Sequence, residues 1–134
     1  MNRAFLCSAI EGLVSSYGYH FQLSNEAYFP TTVCRYPAAF MPQPDFVSME
    51  GRKRGRITYK VVLRLAKQGA KLSVQRRNNL INDMEQEMID LFVELSRSER
   101  IAVVDELTIT TLPQAFDAHG ALVVEATALV TIYK

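Results

Sequence analysis

The chain predicts an α+β fold: a two-layer sandwich, with a mainly antiparallel sheet and two helices packed on one of its faces. Three observations carry that expectation. Residues 73–95 repeat Ile81, Met84, Met88, Leu91 and Leu95 at steps of three and four, the spacing of a helix with one apolar seam. Residues 57–66 and 121–133 alternate apolar and mixed positions at steps of two, the spacing of half-buried strands. A sheet with one apolar face needs a cover, and helices with one apolar stripe supply it.

Taken in order, residues 2–17 form a first amphipathic helix. Leu6, Ile10, Leu13, Val14 and Tyr17 share a face, and Gly18 is placed to end the helix in a left-handed cap. Residues 20–49 are the least regular part, because Pro30, Pro37, Pro42 and Pro44 lack the amide donor that a long helix or a central strand requires. Within it, residues 31–35 suit a short edge strand. Residues 38–47 suit an extended segment whose Phe40, Met41, Phe46 and Val47 either pack on the core or reach a neighbour. The domain assignment is therefore a single α+β unit over residues 1–134, with an irregular proline-rich extended segment at about 28–50.

Residues 51–56 make a basic turn between glycines. The strand at 57–66 puts Ile57, Tyr59, Val61, Leu63 and Leu65 on one face and Thr58, Lys60, Val62 and Arg64 on the other. Ser73 is the expected N-cap of the long helix, whose seam Leu80 and Phe92 widen. That helix should reach roughly 34 Å, enough to cross a small sheet. After a polar connection at 96–100, residues 103–112 read as a strand with Leu107 and Ile109 facing one way. Residues 117–120 signal a turn, and Leu122, Val124, Ala126, Ala128, Val130 and Ile132 line one face of the last strand. Small Ala126 and Ala128 leave room for a helix above, and the last two strands should form a long antiparallel hairpin.

At 134 residues, with 49% hydrophobic and 22% charged residues, the chain can bury a core without disulfides or metal. Its apolar runs are too short to span a bilayer, and Glu11 interrupts any signal-peptide core at the start, so a cytosolic protein is expected. Cys7 and Cys34 form no recognisable metal or disulfide pattern. The net charge of +1 hides a division along the chain. Residues 51–82 hold ten bases and no acid, whereas residues 83–134 hold ten acids and three bases.

Catalytic chemistry needs converging polar groups, and none can be assembled. His20 and His119 are the only histidines, and His119 falls in a turn. Neither a phosphate-cradling glycine motif nor a metal-ligand spacing is present, so no enzyme activity, cofactor or metal is expected. Asp83, Glu87, Asp90 and Glu94 recur along one edge of the long helix with no base between them, and repel one another. Arg76 and Arg77 lie in its first turn and Asp90 and Glu94 near its end, against the helix dipole.

The basic block admits two readings. Arg52, Lys53, Arg54, Arg56 and the bases beyond them, with Tyr59 nearby, could neutralise nucleic-acid phosphates. Against that, the bases alternate with apolar residues and no aromatic platform surrounds them. The favoured reading is self-assembly, with a basic loop and strand on one side meeting the acidic row of the next copy, head to tail, in a ring. The interface residues expected are Arg52, Lys53, Arg54, Arg56, Arg76, Arg77, Asp83, Glu87, Asp90 and Glu94, with Phe40, Met41 and Phe46 from the extended segment.

The chain also resembles the tail terminators and related minor tail or head–tail completion proteins of long-tailed bacteriophages. The resemblance lies in the order of NRAFLCSAIEGLVSSY, YPAAFMPQPDF, GRITYKVVLRLAKQGAK, RRNNLINDMEQEMIDLFVEL and DELTITTLPQAFDAHGALVVEATALVTIYK, and spans nearly the whole chain. It implies a small non-enzymatic protein of the virion, made in the host cytoplasm. Such proteins form rings, commonly hexamers, that meet the tail tube and the head connector. It also implies that the 51–56 loop and the proline-rich segment are the surfaces between subunits or towards those partners.

Overall fold

A computed structural model describes residues 2–23, 36–51, 55–69, 71–112 and 121–134. The expected edge strand at 31–35, Cys34, the turn at 117–120 with His119, and Arg52, Lys53 and Arg54 lie outside the described residues.

The element that sets the layer spacing is the long helix, α2 (Val74–Ser96). The Ser73 hydroxyl accepts the Arg76 N–H at 3.3 Å, which satisfies one of the free donors of the first turn. Its seam buries Met84, Met88, Leu91, Phe92 and Leu95, each side chain contributing roughly 1.5–3 kcal/mol on leaving water. Ile81 and Leu80 are half-buried at its rim. The first helix, α1 (Asn2–Ser16), buries Leu6, Ile10 and Val14 on the same side of the sheet, and Gly18 beyond it has φ +87°. Leu13 packs at the margin of the core, whereas Tyr17, expected on the buried face, lies past the helix end and is partly exposed.

The sheet is mixed and six-stranded. Its spine is β4 (Arg56–Gln68) against β6 (Ala121–Tyr133), antiparallel and in unbroken register from Arg56↔Tyr133 to Gln68↔Ala121. The predicted inward rows are buried on both strands, from Ile57 to Leu65 and from Leu122 to Ile132. The opposite face carries a Thr58–Thr131 hydroxyl contact of 2.8 Å and an Arg64–Glu125 ion pair of 2.7 Å. Beyond β6 lies β5 (Ile101–Leu112), antiparallel to it as expected of a hairpin, with register shifts after Ile101 and after Asp105.

The other edge departs from the sequence reading. Residues 38–41 are not irregular: β2 (Ala38–Met41) lies inside the sheet, hydrogen-bonded to β4 on one side and to β1 (His20–Leu23) on the other. The prolines bracket this strand rather than interrupt it, with Pro37 before it and Pro42 and Pro44 after, so no ladder donor is lost. Phe40 and Met41 accordingly take the inward alternative. Met41 joins the main core, and Phe40 packs with Ala38, Ala66 and Val123 on the face away from the helices. As interface residues both are corrected, because the sheet covers them within the chain.

Next along the chain, β3 (Asp45–Glu50) turns back and pairs with the first half of β4, antiparallel, with a bulge at Val47. A Cβ on Gly55 would fall on the Glu50 carbonyl oxygen at this hairpin. Gly55→Ala is therefore expected to cost about 1–3 kcal/mol as the two strands are pushed apart, measurable as a lower thermal midpoint.

Candidate assembly surface

Every residue of β3 is exposed. Phe46 is 56% exposed, Val47 49% and Met49 51%, which puts three large apolar side chains in water on one six-residue strand. Register fixes where they point: Phe46 lies opposite Tyr59 and Met49 opposite Ile57, so both stand on the helix-bearing face, beyond the cover of the helices. The arm is held in place from α1. Arg3 donates from Nε to the Pro44 carbonyl at 3.0 Å and lies 5.5 Å above the Tyr59 ring, which Phe46 meets edge-on at 6.2 Å. An open hollow of about 750 Å³ beside it is lined by Asn2, Arg3, Cys7, Leu23, Gln43 and Tyr59. Burial raises the Cys7 thiol pKa, Glu11 adds to that and Arg3 opposes it, so the thiol is less ionised than a free one.

The acidic row of α2 is partly neutralised within the chain. Glu87 accepts Lys67 Nζ at 3.1 Å and the Tyr19 hydroxyl at 3.4 Å. Glu94 pairs with Arg97 at 3.0 Å, and Asp90 takes a hydrogen bond from Gln86 at 2.9 Å. Asp83 and Asp90 are exposed and make no ion pair among the described residues. The expectation of four carboxylates awaiting an outside cation is thus corrected at Glu87 and Glu94. Glu87 finds its cation on β4, where helical periodicity cannot show it, whereas Arg97 lies three residues after Glu94 at the helix C-cap, a spacing visible in the sequence.

Burial, the charge on Glu87 and the hydrogen bond to it all raise the pKa of Tyr19. Its stabilising contribution is therefore complete below the usual tyrosine value of about 10 and is lost as pH rises through the higher folded value. Tyr19→Phe is expected to cost about 1 kcal/mol near neutrality and to flatten the alkaline loss of stability. Urea melts at about pH 8 and about pH 11 would read both effects.

Of the expected basic residues, Arg56 is exposed with its guanidinium 5.6 Å from the Tyr133 ring. Arg76 is exposed, and Arg77 donates from Nε to the Gly69 carbonyl at 3.1 Å. Arg64 and Lys67 are held by Glu125 and Glu87, so three bases of the block already bind acceptors in this chain. The sequence reading missed Met49, and also Ile89 and Val93, which are 39% and 46% exposed on α2. Their signal was available: both lie off the seam formed by Met84, Met88, Leu91 and Leu95.

Among the described residues, no group of His, Cys, Asp and Glu is placed to hold a metal ion, and no helix is long and apolar enough to cross a membrane. No family model matches the chain, and no curated protein matches it.

Proposed function

We propose that this chain is a non-enzymatic structural protein of a phage or prophage tail, in a tail-terminator or head–tail completion role. It assembles with copies of itself into a ring that meets other tail or connector proteins. The observation that carries the self-assembly is β3, a strand beside β4 that presents Phe46, Val47 and Met49 to water. No described strand covers the outer edge of β3, and exposed apolar side chains on such an edge favour association. The order of α1, β4, α2 and the β5–β6 pair is the one on which the tail-protein resemblance rests, with three short strands where that layout had an irregular extended region. Charge contributes through the groups left exposed, Arg56, Lys60 and Arg76 on one hand and Asp83 and Asp90 on the other.

Light scattering at low and at high salt tests the reading. A particle of several 15.2 kDa subunits is expected in both, because apolar contact persists when charge is screened. The double variant Phe46→Asp, Met49→Asp should leave the subunit folded and monomeric. A native chain that stays monomeric at high concentration in low salt overturns the proposal.

A further inference from the structure

The ring reading leaves open what receives β3, and this inference rests on that reading. We infer that β3 of one copy adds to the outer edge of β5 on the next, an edge that no other described strand pairs, with Phe46 and Met49 seated against Ile89 and Val93 of the neighbour's α2. Four features lead there.

The first is strand direction. At the level of β3 the sheet runs β3, β4, β6, β5, each antiparallel to the next. The two outermost strands therefore run in opposite senses. A second copy set beside the first, facing the same way, continues the antiparallel alternation across the junction. Repetition of one such step is the heterologous contact from which rings close.

The second is the shape of the edge. β2 and β3 lie end to end along β4, and β1 fills the next column only beside β2. Among the described residues no strand pairs with the outer edge of β3, which leaves a step one strand wide and about 20 Å long. The half of β5 at 108–112 pairs with β6 without a register shift and contains no charged residue. Its five residues span about 17 Å and are level with β2, so they enter that step when the second copy is displaced along the strands by about 20 Å. The other half of β5 is guarded, with bulges and exposed Asp105 and Glu106.

The third is the side on which the apolar groups lie. Phe46 and Met49 stand on the helix-bearing face. Thr111 of β5 donates to Glu85 at 3.2 Å, so the Glu85 flank of α2 overlies β5. Ile89 and Val93 come one and two helical turns after Glu85 on that flank and are exposed. Adding β3 to β5 brings two exposed apolar pairs together.

The fourth is charge. In register, Arg56 stands opposite Glu50 at the foot of β3. Antiparallel addition turns that foot towards the end of the neighbour's β5 that carries Asp105 and Glu106. Glu50 on β3 itself nears that acidic pair, and Arg56 beside it offsets the repulsion, so charge at this end is balanced. Two β3 strands paired about a two-fold axis would instead set Asp45 opposite Glu50, and like charges across a ladder repel.

Thiol crosslinking between differently tagged copies tests the assignment, in a Cys7→Ser, Cys34→Ser background. Met49→Cys chains mixed with Ile89→Cys chains are expected to yield a crosslinked dimer with a short bifunctional thiol reagent, and neither chain alone should do so. Ile89→Lys should abolish assembly while leaving the subunit's melting temperature unchanged. A particle that assembles but gives no mixed crosslink overturns this interface and leaves the ring reading standing. Crosslinking of Met49→Cys to itself also overturns it, by revealing a two-fold contact. A chain that is monomeric throughout overturns both.

Discussion

Met88→Asp is expected to destabilise the subunit by about 4 kcal/mol or more, the sum of lost apolar burial and an interior polar group without a partner. Met88 is fully buried in the middle of the α2 seam, among the core residues contributed by both helices and the sheet. Every buried side chain among the described residues is hydrophobic, so a carboxyl introduced there finds no established polar network to join. For a chain of this length the midpoint should fall by more than about 12 °C. Met88→Leu controls for shape and should cost less than about 1.5 kcal/mol. Thermal melts of the two variants separate a buried seam from a surface stripe, since equal midpoints would place Met88 at the surface.

Ala126→Phe is expected to be the most damaging enlargement, at about 3 kcal/mol or more, because nothing above it can recede. Ala126 is fully buried, with Leu63 of β4 and Ile109 of β5 as its cross-strand neighbours and α2 overhead. Interiors are packed to crystal-like density, so a ring there must lift the helix or bend the sheet. Thr127→Phe, one residue along and half-exposed on the opposite face, should change stability by less than about 0.5 kcal/mol. Chemical denaturation of the pair measures how closely the two layers approach.

These expectations were legible because the elements they concern announce themselves over many residues. The α2 cap follows from residue type, and the seam and the inward rows of β4 and β6 follow from period; the structure buries both rows and the seam from Met84 to Leu95, with Leu80 and Ile81 half-buried at its rim. The short elements were not legible. Four residues, His20 to Leu23, offer too few steps to establish alternation, and β1 owes its place to β2, parallel and distant in sequence. The prolines around β2 resembled breaks in a loop but are boundaries of a strand. At the candidate surface, Phe46 was recognisable as an apolar residue in an extended segment, whereas its exposure depended on the helices ending short of it. Glu87 illustrates the opposite failure. Its neighbours in the row were visible, but Lys67 and Tyr19 reach it only once β4 and the residues after α1 are folded beside α2.

The shifts in β5 have a consequence for how this chain tolerates insertion and loss. Ile101, Val104, Leu107 and Ile109 all contribute to the core, yet they are spaced by three, three and two. Each extra residue resets the count, so side chains that strict alternation would send to opposite faces share one. Glu106, at φ +52° with its N–H held by the Asp105 carboxylate at 3.1 Å, is where the second reset occurs. Removing that single residue would close the bulge: Val104, Leu107 and Ile109 would then follow one another at steps of two, with Ile109 still opposite Ala126. The strand would keep its wet and dry sides and lose only the local bend that the extra residue imposes. Loss of a residue from within the regular stretch at 108–112 would instead put the side chains beyond it out of phase with β6.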